Sequence, residues 1–376
     1  MKIAYVFGGN FSQHPGLVKK IYESAGEWLE RGHDVLLISY GEYRTLDPRN
    51  KLESVLIKPK SSFRRLRLLI EYFFQYKYLK VEVEKFNPDI VYGRYAFPLW
   101  SPEKGYGATS PYVLEINSDD LVEYGLKSSL TGFINRLFRK SFISNSAGLV
   151  FVTNDLSSSR SFSFFKKNIK VIANGVIDAG YEIGDQEVAS EAINVGFVGS
   201  PNQSWHGVDK VVKLAKLLPT VNFHIVGVAE DELDKIVNVD TKLENIKFYG
   251  YLKGTELLNQ MKKWDVGVSS LALHRKNMEE ACPLKSRQYL SLGIPMVYAY
   301  DDPDMTGDEP FCLKLPNVEG NVEHCLEEIS RFFFMANNDL NMKQMAMNFS
   351  RDSLSVSKKE RLRLEFFKEV VLDEKR

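Results

Sequence analysis

Two consecutive series of short β-branched or aromatic runs, each alternating with longer helical patterns, constrain this chain more than any other feature. The first reads KIAYVF, a helical pattern over 17–31, DVLLIS, another over 63–86, DIVYG, PYVLEI and GLVFVT. Such alternation signals βαβ units and a parallel sheet. After VIANGV, residues 178–191 are polar, acidic and aperiodic, as a linker is. A second series follows: INVGFVG, helix 207–218, NFHIVG, helix 231–238, NIKFYG, helix 254–263, DVGVSS, helix 284–292 and PMVYAY. The expected class is therefore α/β, with two Rossmann-like doubly wound domains whose strand C-termini face a cleft where ligands bind. The closing segment, SVSKKERLRLEFFKEVVL, starts with serine caps and is amphipathic, which predicts a terminal helix. The expected boundaries are 1–176, a linker at 177–191, 192–354, and the helix at 355–376.

Composition narrows the class further. At 376 residues the chain is longer than one hydrophobic core usually serves, and 44% apolar with 26% charged residues is ordinary for a globular protein. The opening MKIAYVFGGNF breaks at Gly8-Gly9, too early for a signal peptide, and no stretch has the roughly 18 uninterrupted apolar residues of a membrane span. Cys282, Cys312 and Cys325 have neither zinc-site nor disulfide-framework spacing, so a reducing, cytoplasmic setting is expected.

The formal net charge is zero but unevenly spread: residues 1–180 hold 25 Lys+Arg against 18 Asp+Glu, and the remainder 24 against 31. A basic N-terminal half suits an anionic partner such as membrane lipid or a pyrophosphate-linked acceptor; chance asymmetry between solvated faces is the alternative. Residues 58–80, with Arg64, Arg65 and Arg67 among aromatic and aliphatic residues, read either as an interfacial helix or as a core helix with a basic solvent face. Lys127, Arg136, Arg139 and Lys140 extend the same basic patch. Peripheral attachment to the inner face of the cell membrane is the localisation this implies, and no nucleic acid is expected as a partner.

The chemistry is concentrated in 279–297, EEACPLKSRQYLSLGIPMV. Pro283 and Leu284 open a helix that Gly293 ends, so its positive end and free amides form an anion site, to which Lys285 on the first turn adds a full charge suited to a diphosphate. Glu280 and Gln288 bracket this turn with groups suited to sugar hydroxyls. Gly8 and Gly9 follow the first strand, where backbone amides can approach a phosphate. FGGNF is not the G-x-G-x-x-G fingerprint, so a nicotinamide cofactor has little support. On the acceptor side stand Arg94, Glu115 and Asn117 at strand C-termini, with Arg94 and Glu115 alternatively pairing with each other. His14, in SQHPG, closes over the donor or is a surface residue. DDPD at 301–304 suits a surface loop better than a metal site. Cys282 reads as a small packing residue, since no adjacent base is identifiable.

FGGNF, RGHDV, NGV, GSPNQSWHGVDKVV, FHIVG, NIKFYGYLKGTEL and EACPLKSRQYLSLGIP, in this order and spacing, resemble the large retaining glycosyltransferase family four, of GT-B fold, over nearly the whole chain. The resemblance implies a terminal helix that returns to the N-terminal domain, a nucleotide-sugar donor bound by the C-terminal domain, and an acceptor bound by the N-terminal one. It implies no cofactor and no metal ion. The family carries two glutamates separated by seven residues: Glu280 matches the first, which touches the transferred sugar, and Gln288 replaces the second, which holds the nucleotide ribose. Many relatives bracket the donor phosphates with Arg and Lys where this chain has Ser200 and His206. His206 with Gly207 is either a phosphate contact or simply the start of a helix. Tyr251 and Leu252 match where the family's backbone meets the nucleobase. The implied reaction is retaining hexosyl transfer to a saccharide acceptor, lipid-linked, in surface-polysaccharide assembly. A nucleotide-sugar epimerase of the same fold and a non-catalytic nucleotide-sugar-binding subunit are the alternatives.

Overall fold

The computed structural model describes residues 1–8, 15–40, 53–57, 79–95, 110–178, 180, 192–201, 203–228 and 243–376. The chain divides into two compact units, Met1–Ala173 with Val356–Arg376, and Asn174–Ser355. The first contains β1 (Lys2–Gly8), β2 (Asp34–Tyr40), β3 (Glu53–Ile57), β4 (Ile90–Arg94), β5 (Tyr112–Ile116), β6 (Gly148–Phe151) and β7 (Asn168–Val171), in the spatial order β3-β2-β1-β4-β5-β6-β7. The second contains β8 (Asn194–Val198), β9 (Asn222–Val226), β10 (Ile246–Phe248), β11 (Val266–Val268), β12 (Met296–Tyr298) and β13 (Cys312–Lys314), in the order β10-β9-β8-β11-β12-β13. All these pairings are parallel. Strand order reverses between β1 and β4 in one sheet and between β8 and β11 in the other, the positions where doubly wound sheets hold ligands.

The strands read as near-continuous apolar runs because both sheet faces are covered. In β1, Ile3, Tyr5 and Phe7 join a core with Trp28, while Ala4 and Val6 are equally buried on the opposite face. That core is completed by the terminal helix Val356–Asp373, whose Leu364, Phe366, Phe367 and Val370 pack into it. The terminal helix thus returns to the N-terminal unit.

A buried polar network fixes the returning helix. Glu360 accepts hydrogen bonds from the Ser24 hydroxyl and the Trp28 indole, both at 2.8 Å, and pairs with Arg363. Arg363 lies 3.7 Å from Glu115, which takes a 2.7 Å bond from Lys20 and a further bond from the Tyr92 hydroxyl. Burial alone would raise the Glu115 carboxyl, but Lys20 and Arg363 outweigh it and hold the group well below the usual carboxylate range. Removing one member of such a set leaves an uncompensated buried charge, which costs about 3–5 kcal/mol.

The alternation in the sequence does not bring out β3, β7 or β13, each an edge strand, nor the helices Asp120–Lys127, Leu326–Asn338 and Leu340–Phe349. Of the pattern over 63–86, residues 79–86 are helical. The basic stretch before residue 79, the helix expected at 231–238 and linker residues 181–191 lie outside the described residues.

Candidate active site in the C-terminal unit

Two glycines shape the central strands. A Cβ on Gly196 of β8 would fall 1.8 Å from the Trp264 ring, and one on Gly267 of β11 would fall 2.6 Å from the Tyr289 ring. Only glycine lets these rings lie against the strands. Tyr289 then reaches the end of β8, where its hydroxyl accepts from the Val198 amide at 3.0 Å. This contact sets the helix Leu284–Ser291 against the C-terminal end of β8.

On the first turn of that helix Lys285 is only 8% exposed, and its ammonium donates to the Val198 carbonyl at 3.0 Å and lies 4.5 Å from the Phe197 ring centre. Burial pushes its pKa down to about 7. Among the described residues no carboxylate pairs with Lys285. Pro283 occupies the cap position and no side chain caps the helix. A buried cation and a helix N-terminus therefore coincide at the reversal of strand order, an arrangement chemically matched to a diphosphate.

The next two side chains anchor this helix. The Ser286 hydroxyl bonds to the Ser269 and Tyr300 hydroxyls at 2.7 and 2.6 Å. Arg287, fully buried, makes a bidentate pair with Asp302, a 2.9 Å contact to Asp304, and a 3.2 Å bond to the Asn174 carbonyl. Asp301 pairs with Lys314. The carboxylates of DDPD are thus committed to basic side chains, and Asp302 lies in the interior rather than on a surface loop. Among the described residues no group of three or more His, Cys, Asp or Glu is placed to hold a metal ion.

His206 ends a short turn, Ser204–His206, whose backbone is tied to the segment after β11: Leu271 and Ala272 amides donate to the His206 and Trp205 carbonyls at 3.2 and 3.3 Å. Gly207 follows with φ 76°, and a Cβ there would sit 3.0 Å from that of Leu271. Arg275 clamps the same turn through a bidentate bond to Asp209 and a 2.9 Å bond to the Ser204 carbonyl. Burial, then Lys285 and Lys276, push the His206 pKa down to about 2. The imidazole is therefore neutral at physiological pH, so it can offer a ligand a hydrogen bond but no charge. Its Nδ1 is buried with no hydrogen-bond partner among the described residues.

Of the residues singled out from sequence, the fold gathers Glu280, Pro283, Leu284, Lys285 and Gln288 on one loop and helix, with His206 within electrostatic reach of Lys285. Glu280 is buried, and its segment is held to Asp301 by backbone bonds at Ala281 and Glu279. Gln288 is half-buried. Tyr251, 65% exposed, and half-buried Leu252 follow β10, two strands from β8. Cys282 is buried beside Asn174, which donates to its carbonyl at 2.8 Å.

In the N-terminal unit Gly8 and Arg94 end the neighbouring strands β1 and β4. Arg94 and Glu115 are register partners, but the Glu115 carboxylate is taken by Lys20, Tyr92 and the Asn117 amide, the last at 2.8 Å. Glu115 is thereby a buried support for Asn117, not a group that meets an acceptor directly. Gly9 and His14 lie outside the described residues. Arg287, Asp302, Ser286 and Arg275 were not legible as site supports, since their partners lie 14 to 113 residues away.

The model for Glycosyltransferase Family 4 matches residues 16–179. A glycosyltransferase from Rickettsia africae superposes with a TM-score of 0.70 at 16% identity, covering 98% of each chain. Anabaena HepE in complex with UDP and glucose superposes with a TM-score of 0.67 at 15% identity, covering 98% of this chain and 100% of that one. WaaG, a glycosyltransferase involved in lipopolysaccharide biosynthesis, gives 0.65 at 13% identity over 95% and 98%. No curated protein matches the sequence. At these identities the structural likeness carries the fold, and the N-terminal unit carries the family signature.

Proposed function

We propose, from the match of residues 16–179 to the model for Glycosyltransferase Family 4 and from the GT-B fold, that the chain moves a hexose from a nucleotide sugar to a saccharide acceptor with retention of configuration. The acceptor we propose is lipid-linked and met at an anionic membrane surface, in surface-polysaccharide assembly. The single observation that carries the donor assignment is Lys285: a buried cation on an uncapped helix N-terminus, hydrogen-bonded to a carbonyl and facing no carboxylate among the described residues. The complexes of HepE with UDP and UDP-glucose support the same class of donor.

In this reading the bond from the sugar's anomeric carbon to the β-phosphate oxygen breaks, the acceptor oxygen bonds to the same carbon on the same face, and the acceptor proton passes to the departing phosphate. No protein nucleophile and no metal ion are needed. Lys285 and the amides after Pro283 and Leu284 hold the charge that grows on the diphosphate, so they act more strongly on the transition state than on bound donor. Glu280 meets the transferred sugar, Gln288 the ribose, and Tyr251 and Leu252 the base. Neutral His206 and Gly207 offer hydrogen bonds without charge, and Gly8 and Gly9 are further candidates for donor contacts. Arg94 and Asn117 serve the acceptor, with His14 over the donor.

The test is a calorimetric screen against nucleoside diphosphates and nucleotide sugars, followed by mass spectrometry of lipid-linked saccharides incubated with the donor that binds. Ligand binding to the native state raises apparent stability, so a thermal shift gives a second readout. Binding of a nucleotide sugar with product formed only when acceptor is present is the expected outcome. Product formed from donor alone would select an epimerase, and binding without turnover across acceptors a non-catalytic subunit.

A further inference from the structure

The helix Ser129–Ser144 buries polar side chains beside Phe142 and Ile143. Its buried face carries Asn135 and Arg139, both held by Asp120: the Asn135 amide at 2.6 Å and the Arg139 guanidinium at 2.6 and 2.7 Å. Asp120 itself is buried at the start of the preceding helix, Asp120–Lys127. The two helices approach closely, since a Cβ on Gly132 would lie 3.1 Å from the Gly125 Cα. The polar contacts of this hairpin are therefore spent inward.

Its outer face carries three large apolar side chains. Leu130, Phe133 and Leu137, spaced three and four apart and so on one stripe, are 69%, 60% and 58% exposed. Exposed Arg136 and Lys140 run along one edge of that stripe. The sequence SLTGFINRLFRKSFIS contains no acidic residue. Arg139 is neutralised by Asp120, so the outward charge of the helix is that of Arg136 and Lys140.

We propose that this face is the membrane-docking surface of the protein: the helix lies in the plane of an anionic bilayer, with Leu130, Phe133 and Leu137 below the headgroups and Arg136 and Lys140 among the lipid phosphates. The proposal rests on the reading of the enzyme as one that works at a membrane surface, and names the elements that reach it. A protein partner would be expected to supply carboxylates for the two cations and some polar complement for the apolar rim. A bilayer supplies both an apolar layer and phosphates at the right relative depth, which is why helices with an apolar face edged by Lys and Arg bind there. Burial of exposed apolar area and attraction of cations to acidic lipid then act together, and only the second is weakened by salt.

The experiment is co-sedimentation of the full chain with vesicles of phosphatidylcholine alone and of phosphatidylcholine with phosphatidylglycerol. Wild-type protein is expected to bind the acidic vesicles, less strongly as salt rises. The double variant Arg136→Glu/Lys140→Glu is expected to bind at least about tenfold more weakly. The triple variant Leu130→Ser/Phe133→Ser/Leu137→Ser is expected to lose more than about tenfold at every salt concentration. Both variants change exposed side chains, so melting temperature and UDP affinity should match wild type, and this separates loss of docking from loss of the donor site. Unchanged vesicle binding in the triple variant would overturn the proposal. So would lipid-free self-association that the triple variant abolishes without any change in vesicle binding, because the face would then be a protein interface.

Discussion

In the N-terminal unit the charged side chains beside the reversal of strand order close on one another, Glu115 with Lys20 and Arg363, and Arg363 with Glu360. In the C-terminal unit Lys285 stands at the corresponding reversal with a carbonyl and an aromatic ring for company. Both arrangements bury charge, but among the described residues only the first supplies a counter-charge. A closed set of this kind locks a helix onto a sheet. An open one disfavours the charged form, which is why burial alone brings this lysine down to near neutrality.

The comparison breaks most visibly at Glu115. Glu115→Ala would leave Lys20 and Arg363 buried together without their carboxylate, at a cost of about 3–5 kcal/mol. For a unit of this size that is a fall of roughly 6–20 °C in melting temperature, read by scanning calorimetry. A fall of less than about 2 °C would mean that the network contributes little to docking the terminal helix.

Lys285 should behave in the opposite way. A lysine with a depressed native pKa lowers stability fully below that value, and the penalty fades as pH climbs toward the ordinary lysine value of about 10.4. Lys285→Met should therefore be at least as stable as wild type at neutral pH, while turnover falls roughly 100- to 1000-fold. Turnover within about threefold of wild type would leave the diphosphate to the helix amides and His206. Lys285→Arg should recover only part of the rate, because the guanidinium is bulkier and its donors are fixed in a plane.

The smallest expected effect is at Gln288. An ionised acceptor makes hydrogen bonds roughly twice as strong as a neutral one, so Gln288→Glu should hold or tighten donor affinity by a few-fold in calorimetry. A large loss would place Gln288 against a phosphate or a carboxylate instead.

How much of this was legible in the sequence depended on how local the determining forces are. The inner strands stood out because burial on both faces makes them uniformly apolar, whereas Asn168–Val171, an edge strand, has no fully buried residue. Pro283 and Gly293 marked the ends of the key helix correctly because both act through backbone geometry within a turn. The burial of Lys285 did not show, because the carbonyl that accepts its hydrogen bond lies 87 residues away in sequence. The neutrality of His206 was hidden for the same reason: desolvation belongs to the packed unit. DDPD is a loop, as read, but the burial of Asp302 did not show, because it depends on Arg287, which pairs with Asp302 and Asp304.

The most direct test of the central claim, that Lys285 is an open cation awaiting a diphosphate, is the pH dependence of UDP affinity by calorimetry in wild type and Lys285→Met. A bound diphosphate favours the ammonium, so above its native pKa of about 7 wild-type binding must take up a proton. Affinity should then weaken by up to roughly tenfold per pH unit between about pH 7 and about pH 9. The variant, which controls for titration of the nucleotide itself, should bind more weakly and lack that slope. Equal pH dependence in the two proteins, or a wild-type affinity that is flat across this range, would contradict the assignment.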